Sequence, residues 1–291
     1  KYSVDLLAAI NGSPTQGFGY TTLMTNNGKM VNRGVEITLS GEIIRQKDFS
    51  WNASLLYAFN RNKVKHISVQ PSLWDSRISM PTSYLMVGKP LYGIYAYKWA
   101  GLNENGDPQV YDAENNVTSG PARDYHALVY CGTTVPIHNA SLTNVLRYKG
   151  LEFSAMLILD AGHKLRSSNI PSINMSNGRI TSTAKGIVDR WTQPGDVTDV
   201  PRLLFSNDTE NFNTHRTELY RYSDLFVYDA SNIRLSNISL AYRVPAHWCK
   251  KISLSGARLQ FNVENVATFA FDSKANYDLG GKVKPNYVWG L

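Results

Sequence analysis

Several groups of residues have types and spacings that could do chemistry. Ser182-Thr183-Ala184-Lys185 has the S-x-x-K form, in which a lysine amine activates a serine for acyl transfer. That chemistry also needs a Lys-Thr-Gly strand, and the chain contains none; so short a pattern matches by chance. Asn103-Glu104-Asn105-Gly106-Asp107 has half the pattern of a calcium loop. It lacks the alternating aspartates and the closing bidentate glutamate, so its Asn-Gly pair predicts a tight turn instead. His66, His126, His138, His163, His215 and His247 form no i,i+4 pair, and no metal site is expected. Asp160, Asp189, Asp196 and Asp199 could serve a glycoside hydrolase only if the fold set two carboxyls at the required separation, which spacing does not dictate. No enzyme and no cofactor are expected. The groups best suited to binding are the aromatics Trp74, Tyr92, Tyr95, Trp99 and Trp191. A sugar's C–H face stacks on such a ring while nearby Asn or Asp bonds its hydroxyls. The same rings could equally pack the loops or sit at a membrane interface.

The elements that must position these residues are strands. In Ala257–Glu264, apolar Ala257, Leu259, Phe261 and Val263 alternate with Arg258, Gln260, Asn262 and Glu264. Successive strand side chains point to opposite faces, so this strand separates an apolar medium from water. Phe49–Asn60 repeats the pattern with Trp51, Leu55, Tyr57 and Phe59 on one side, and Leu151–Asp160 with Phe153 and Leu157. Val35, Ile37, Leu39 and Ile43 do so as well. Each run is near the ~9–11 residues that a tilted strand needs to cross a bilayer. Aromatics gather at run ends, as an interface girdle requires. Alternation alone fits a lipid-facing barrel strand and a core-facing sandwich strand alike.

Connection lengths separate the two. Gln46-Lys47-Asp48 and Lys149-Gly150 are tight, and Val244–Lys251 is slightly longer; about 62–136 and about 162–228 are very long. Short turns alternating with long loops are the mark of outer-membrane barrels. A hairpin is expected within Tyr84–Trp99. No run approaches the ~18 apolar residues of a transmembrane helix, so a membrane location would have to be by barrel. Charged residues are 18% of the 291, below the usual quarter. The net charge of +7 is spread out, with short basic groups at Arg61–Lys65 and Lys250-Lys251, so no nucleic-acid partner is expected. The chain starts and stops in strand-like sequence and reads as a fragment. Cys131 and Cys249 lie in connections expected on opposite sides of a membrane, and are expected not to pair.

Three segments, Arg190–Arg202 (RWTQPGDVTDVPR), Asn232–Pro245 (NIRLSNISLAYRVP) and Gln260–Phe269 (QFNVENVATF), resemble one family, the SusC/RagA-type TonB-dependent outer-membrane transporters. Asn32–Ile37, Gly88-Lys89-Pro90 and Tyr97–Leu102 fit in the family's order. The resemblance implies an all-β fold, an antiparallel transmembrane β-barrel. Residues 1–291 would be the C-terminal section of a 22-stranded barrel with short periplasmic turns and long extracellular loops, the plug and first strands lying outside this chain. It further implies outer-membrane import of an oligosaccharide or, in some members, a peptide. A SusD-like lipoprotein would be the lid and TonB the energy source. Trp51, Leu55, Tyr57, Phe59, Phe153, Leu157 and Phe261 would then face outer-membrane lipid. Trp74, Tyr92, Tyr95, Trp99 and Trp191 would be candidates for substrate. Two features depart from the pattern: no Pro-Glu pair follows Phe269, and no terminal aromatic follows Gly290-Leu291. The alternative is a secreted, soluble carbohydrate-binding β-sandwich.

Overall fold

The computed structural model describes residues 2–11, 22–67, 86–120, 124–176, 179–180, 185–205, 215–251, 253–280 and 286–290. Trp74 and Ser182 fall outside these residues, as do Tyr84 and Leu85 of the expected Tyr84–Trp99 hairpin. Eight strands form one sheet: β1 (Tyr2–Asn11), β2 (Thr22–Arg45), β3 (Phe49–Ile67), β4 (His138–Tyr148), β5 (Leu151–Ala161), β6 (Asn232–Arg243), β7 (Arg258–Ala270) and β8 (Asn286–Gly290). Their order in space is their order in sequence. This is an up-and-down meander, in which β1 pairs antiparallel with β2 and the strands from β3 to β8 each pair antiparallel with the next. No described helix is long and apolar enough to cross a membrane.

The chain divides into two compact units. One is the wall, residues 33–61, 135–163 and 229–291. Its strands are long because alternating side chains give every residue a satisfied face, and the turns between them are chemically marked. Lys149 takes φ +53° in the two-residue turn between β4 and β5, and Ser253 takes φ +58° between β6 and β7. β3 comes so close to β2 that a Cβ on Gly34 would lie 2.6 Å from the Phe59 carbonyl oxygen, so only glycine fits there.

The second unit gathers residues 1–32, 62–134 and 164–228. The described parts of the two long connections therefore form a folded body rather than open loops. Gly93–Tyr97 is buried throughout and pairs with Leu128–Thr133. Trp99–Leu102 pairs with Pro108–Tyr111 across the Asn-Gly turn. The expected hairpin within Tyr84–Trp99 is thus replaced by a non-local partner for its second arm. Small cores hold the body together: Tyr97 with Val110, Ala127 and Leu219, and Ile173 with Tyr220 and Phe226.

Candidate functional site

In the wall, strand register brings the apolar positions into continuous rows. Trp51 lies opposite Leu146, Leu146 opposite Phe153, Phe153 opposite Leu240 and Leu240 opposite Phe261. A second row runs Leu55, Leu142, Leu157, Leu235 and Ala267, and a third Tyr57, Ala140, Leu159, Ile233 and Phe269. The seven residues assigned to one face by alternation therefore share a face. Rings border it at both ends, Phe49 and Trp51 at one and Tyr57, Phe59 and Phe269 at the other, with leucines between. From Phe49 to Phe59 is about 34 Å along a strand, or about 26 Å at a tilt of ~40°, close to the ~25 Å apolar band of a membrane barrel. Polar atoms on this face are paired with each other: Trp51 Nε1–H donates to Asn144 Oδ1 at 3.1 Å, and Tyr57 Oη bonds His138 Nδ1 at 2.8 Å.

The opposite face is polar and cross-linked. Glu152 accepts from Arg147 Nε at 2.7 Å and Arg258 Nη2 at 3.1 Å. Asn139 Nδ2–H donates to Asp160 at 2.7 Å, and Ser40 and Ser54 hydroxyls bond at 2.7 Å. A face of carboxylates, guanidiniums and amides is suited to water or a polar partner, not to lipid. Near the short turns it holds a cavity of about 120 Å³ lined by Arg147, Lys149, Glu152, Arg243 and Arg258.

In the loop body, the rings proposed to hold substrate are mostly committed to packing. Tyr95 is 4% exposed. Trp99 donates its indole N–H to Asp199 Oδ1 at 3.0 Å and packs on Tyr220, centroids 5.8 Å apart. Trp191 lies over Gly106, where an added Cβ would come within 2.4 Å of the ring. Tyr92 is 37% exposed. The Asn-Gly segment is a turn: Asn103 Oδ1 accepts from the backbone N–H of Asn105 and Asp107, at 3.0 and 2.9 Å. Asp107 is engaged by two arginines, Arg202 through Nε and Nη2 and Arg216 through Nε. Asp160 is also used in the wall, and Asp196 accepts from Thr192 and Gln193, which holds its carboxyl below the usual range. Both cysteines are free thiols, Cys249 buried and Cys131 half-buried.

No protein-family model matches the chain. It is 24% identical to TonB-dependent receptor P3 of Formosa agariphila, over 94% of its own length and 28% of that protein's. It is 22% identical to TonB-dependent receptor SusC of Bacteroides thetaiotaomicron, over 86% of its length and 24% of that protein's. The solved RagAB peptide transporter superposes on 93% of this chain and 29% of its own with a TM-score of 0.70, at 20% identity. In sequence and in fold the chain is similar to TonB-dependent receptors of the SusC/RagA type. It spans less than a third of the length of these relatives.

Two features of the chain escape a strict alternation argument. The wall carries a register shift where Leu235 and Asn237 of β6 face Ala267 and Glu264 of β7, with Asn265 at φ +54°. Its trace in the sequence is the slip from Ile233 and Leu235 to Ile238, Leu240 and Tyr242, one extra residue that keeps every apolar side chain on the same face. The second is the buried arginine Arg216, whose partners come from distant segments and leave no local signal.

Proposed function

We propose that the chain is a wall section of a transmembrane β-barrel, residues 1–291 being the C-terminal part of a 22-stranded barrel in the outer membrane of a Gram-negative bacterium. The whole protein imports an oligosaccharide-type or peptide nutrient, with a SusD-like lipoprotein as lid and TonB as energy source. This chain does no covalent chemistry. Trp51, Leu55, Tyr57, Phe59, Phe153, Leu157 and Phe261 face lipid, and the polar face lines the passage. The folded loop body contributes to the ligand cavity. Tyr92 and the accessible edges of Trp99 and Trp191 are its candidate contacts, while Tyr95 acts from beneath; Trp74 belongs to the same set.

The observation that carries this reading is the apolar face itself. It runs in register across the strands, yet Leu39 is 61% and Leu259 49% exposed. Among the described residues no second sheet packs on it, whereas a β-sandwich would bury such a face about 10 Å from another. The receptor and transporter names of the relatives support an import role.

The test is a pair of spin-label scans on the full-length protein in bilayers. Labels at Leu55, Leu157 and Leu240 are expected to be relaxed by oxygen, and labels at Ser54, Ser154 and Ser239 by a water-soluble nickel chelate. Equal shielding of both sets from oxygen would mean a protein core and would overturn the barrel.

A further inference from the structure

The edge of the wall that carries the short turns is basic. The turns Gln46–Asp48, Lys149–Gly150 and Val244–Ala257 hold Lys47, Lys149, Lys250 and Lys251, all exposed, against one acid, Asp48. The turns lie side by side. The N–H of Lys149 donates to the Asp48 carbonyl, and that of Arg243 to the Gly150 carbonyl, each at 2.8 Å. This edge borders directly on the apolar face, whose outermost row is Phe49, Tyr148, Leu151, Tyr242 and Leu259. The Lys149 ammonium lies 5.3 Å from the centroid of the Tyr148 ring, so one of the cations already sits at the border between rings and water.

The third turn adds an indole. Its helix, Ala246–Lys251, is anchored by buried Cys249, whose thiol donates to the Val244 carbonyl. The anchoring leaves Trp248 55% exposed, edge-on to the His247 ring, with Lys250 and Lys251 beside it. A large exposed indole beside two lysines is unfavourable in water and favourable where an apolar layer meets a charged one.

We propose that this edge is seated in the headgroup layer of a phospholipid leaflet and selects anionic headgroups. Trp248 lies at the acyl boundary and Lys47, Lys149, Lys250 and Lys251 contact phosphates. The charge complementarity and the unbroken passage from the apolar rows to the lysines favour a lipid surface over free phosphate, which would have no use for the rings. The seat rests on the barrel reading and adds a lipid preference to it; it fixes how deep the wall sits at this edge.

The experiment uses the full-length protein in detergent, challenged with phosphatidylglycerol and phosphatidylcholine and read by native mass spectrometry. The variant is Lys47→Gln, Lys149→Asn, Lys250→Gln and Lys251→Gln, with Asn at position 149 because it tolerates the left-handed backbone there. Each lysine near an anionic surface is worth about fivefold, so the wild type is expected to prefer phosphatidylglycerol by tenfold or more and the variant to lose that preference. Trp248→Ala is expected to lower retention of both lipids. In parallel, a label at Leu157 is tested for quenching by brominated acyl chains in nanodiscs. Quenching at Leu157 with no loss of preference in the variant, or with no preference in the wild type, overturns the headgroup seat and leaves the barrel standing. No quenching at Leu157 in the wild type removes the barrel and the seat together.

Discussion

Arg216 donates its Nε–H to Asp107 Oδ1 at 3.1 Å across 109 residues of chain. Arg216 is 1% exposed, and its other donors go to the Ile173 and Arg202 carbonyls and to Asn174 Oδ1. Asp107 is therefore the counter-charge of a buried guanidinium and the tie between the two long connections. Burial lowers the arginine pKa and Asp107 opposes that. Asp107→Asn keeps the shape and removes the charge, and breaking a buried pair in this way costs about 3–5 kcal/mol. We expect the loop body of this variant to exchange amide hydrogens faster and to be cut sooner by trypsin. Arg216→Met, which removes the buried charge itself, should cost less.

A second relationship in the same body is steric. Gly106 has φ +74°, and a Cβ there would lie 2.4 Å from Trp191; Gly101 has φ +95° and open space around it. Both alanine variants carry the left-handed penalty of about 1–2 kcal/mol, but only Gly106→Ala must also displace the indole. Gly106→Ala should therefore lower the proteolytic or denaturant midpoint of the loop body more than Gly101→Ala. In a double-mutant cycle, Trp191→Ala should cancel the excess. Equal effects of the two alanines would show that Trp191 moves aside without cost.

The wall was legible because a strand has period two. Leu55, Tyr57, Phe153, Leu157 and Phe261 fall on one face whatever the pairing, and the tight turns at Gln46–Asp48 and Lys149–Gly150 leave little choice of register. Even the shift in β6 is written as a slip in phase between Leu235 and Ile238. The Asn103–Asp107 turn was legible for a local reason, its own side-chain-to-backbone bonds. The loop body was not. Gly93–Tyr97 finds Leu128–Thr133 some thirty residues on, and Tyr220, Ile173 and Phe226 meet from separate segments. No periodicity encodes such pairings, so Tyr95 and Trp99 looked like available rings when tertiary packing had already claimed them.

Cys131 offers a pH test. Burial, and then the charge of Asp224, push its thiol pKa up to about 11, against the smaller pull of Arg166 and Lys164. The thiolate is the nucleophile, so alkylation by iodoacetamide, mapped by peptide mass, should be slow at pH 8 and still rising near pH 11. The folded pKa is raised, so the associated stability is complete below the unfolded value of about 8.5 and is lost as pH rises through about 11. Cys131→Ser should remove that part of the alkaline loss. Alkylation that plateaus near pH 9 would contradict the burial.

The strongest test of the wall compares neighbours one residue apart. Leu157 lies in the central row between Leu142 and Leu235, while Met156 points to the other face, opposite Thr143 and Asn237. An arginine near the midplane of a barrel's lipid face costs about 2–4 kcal/mol, whereas the passage side tolerates charge. Leu157→Arg should therefore reduce the fraction of full-length protein that runs as a compact, heat-modifiable band, and Met156→Arg should leave that fraction nearly unchanged. In a water-soluble sheet with this face exposed, the ranking disappears, because an arginine at the 37%-exposed Leu157 would meet water. In a sandwich core Leu157→Arg would still be harmful, but the oxygen and nickel scans along β3, β5 and β6 would then shield both faces. The mutation pair and the label scans together separate lipid, water and protein as the medium that the leucines meet.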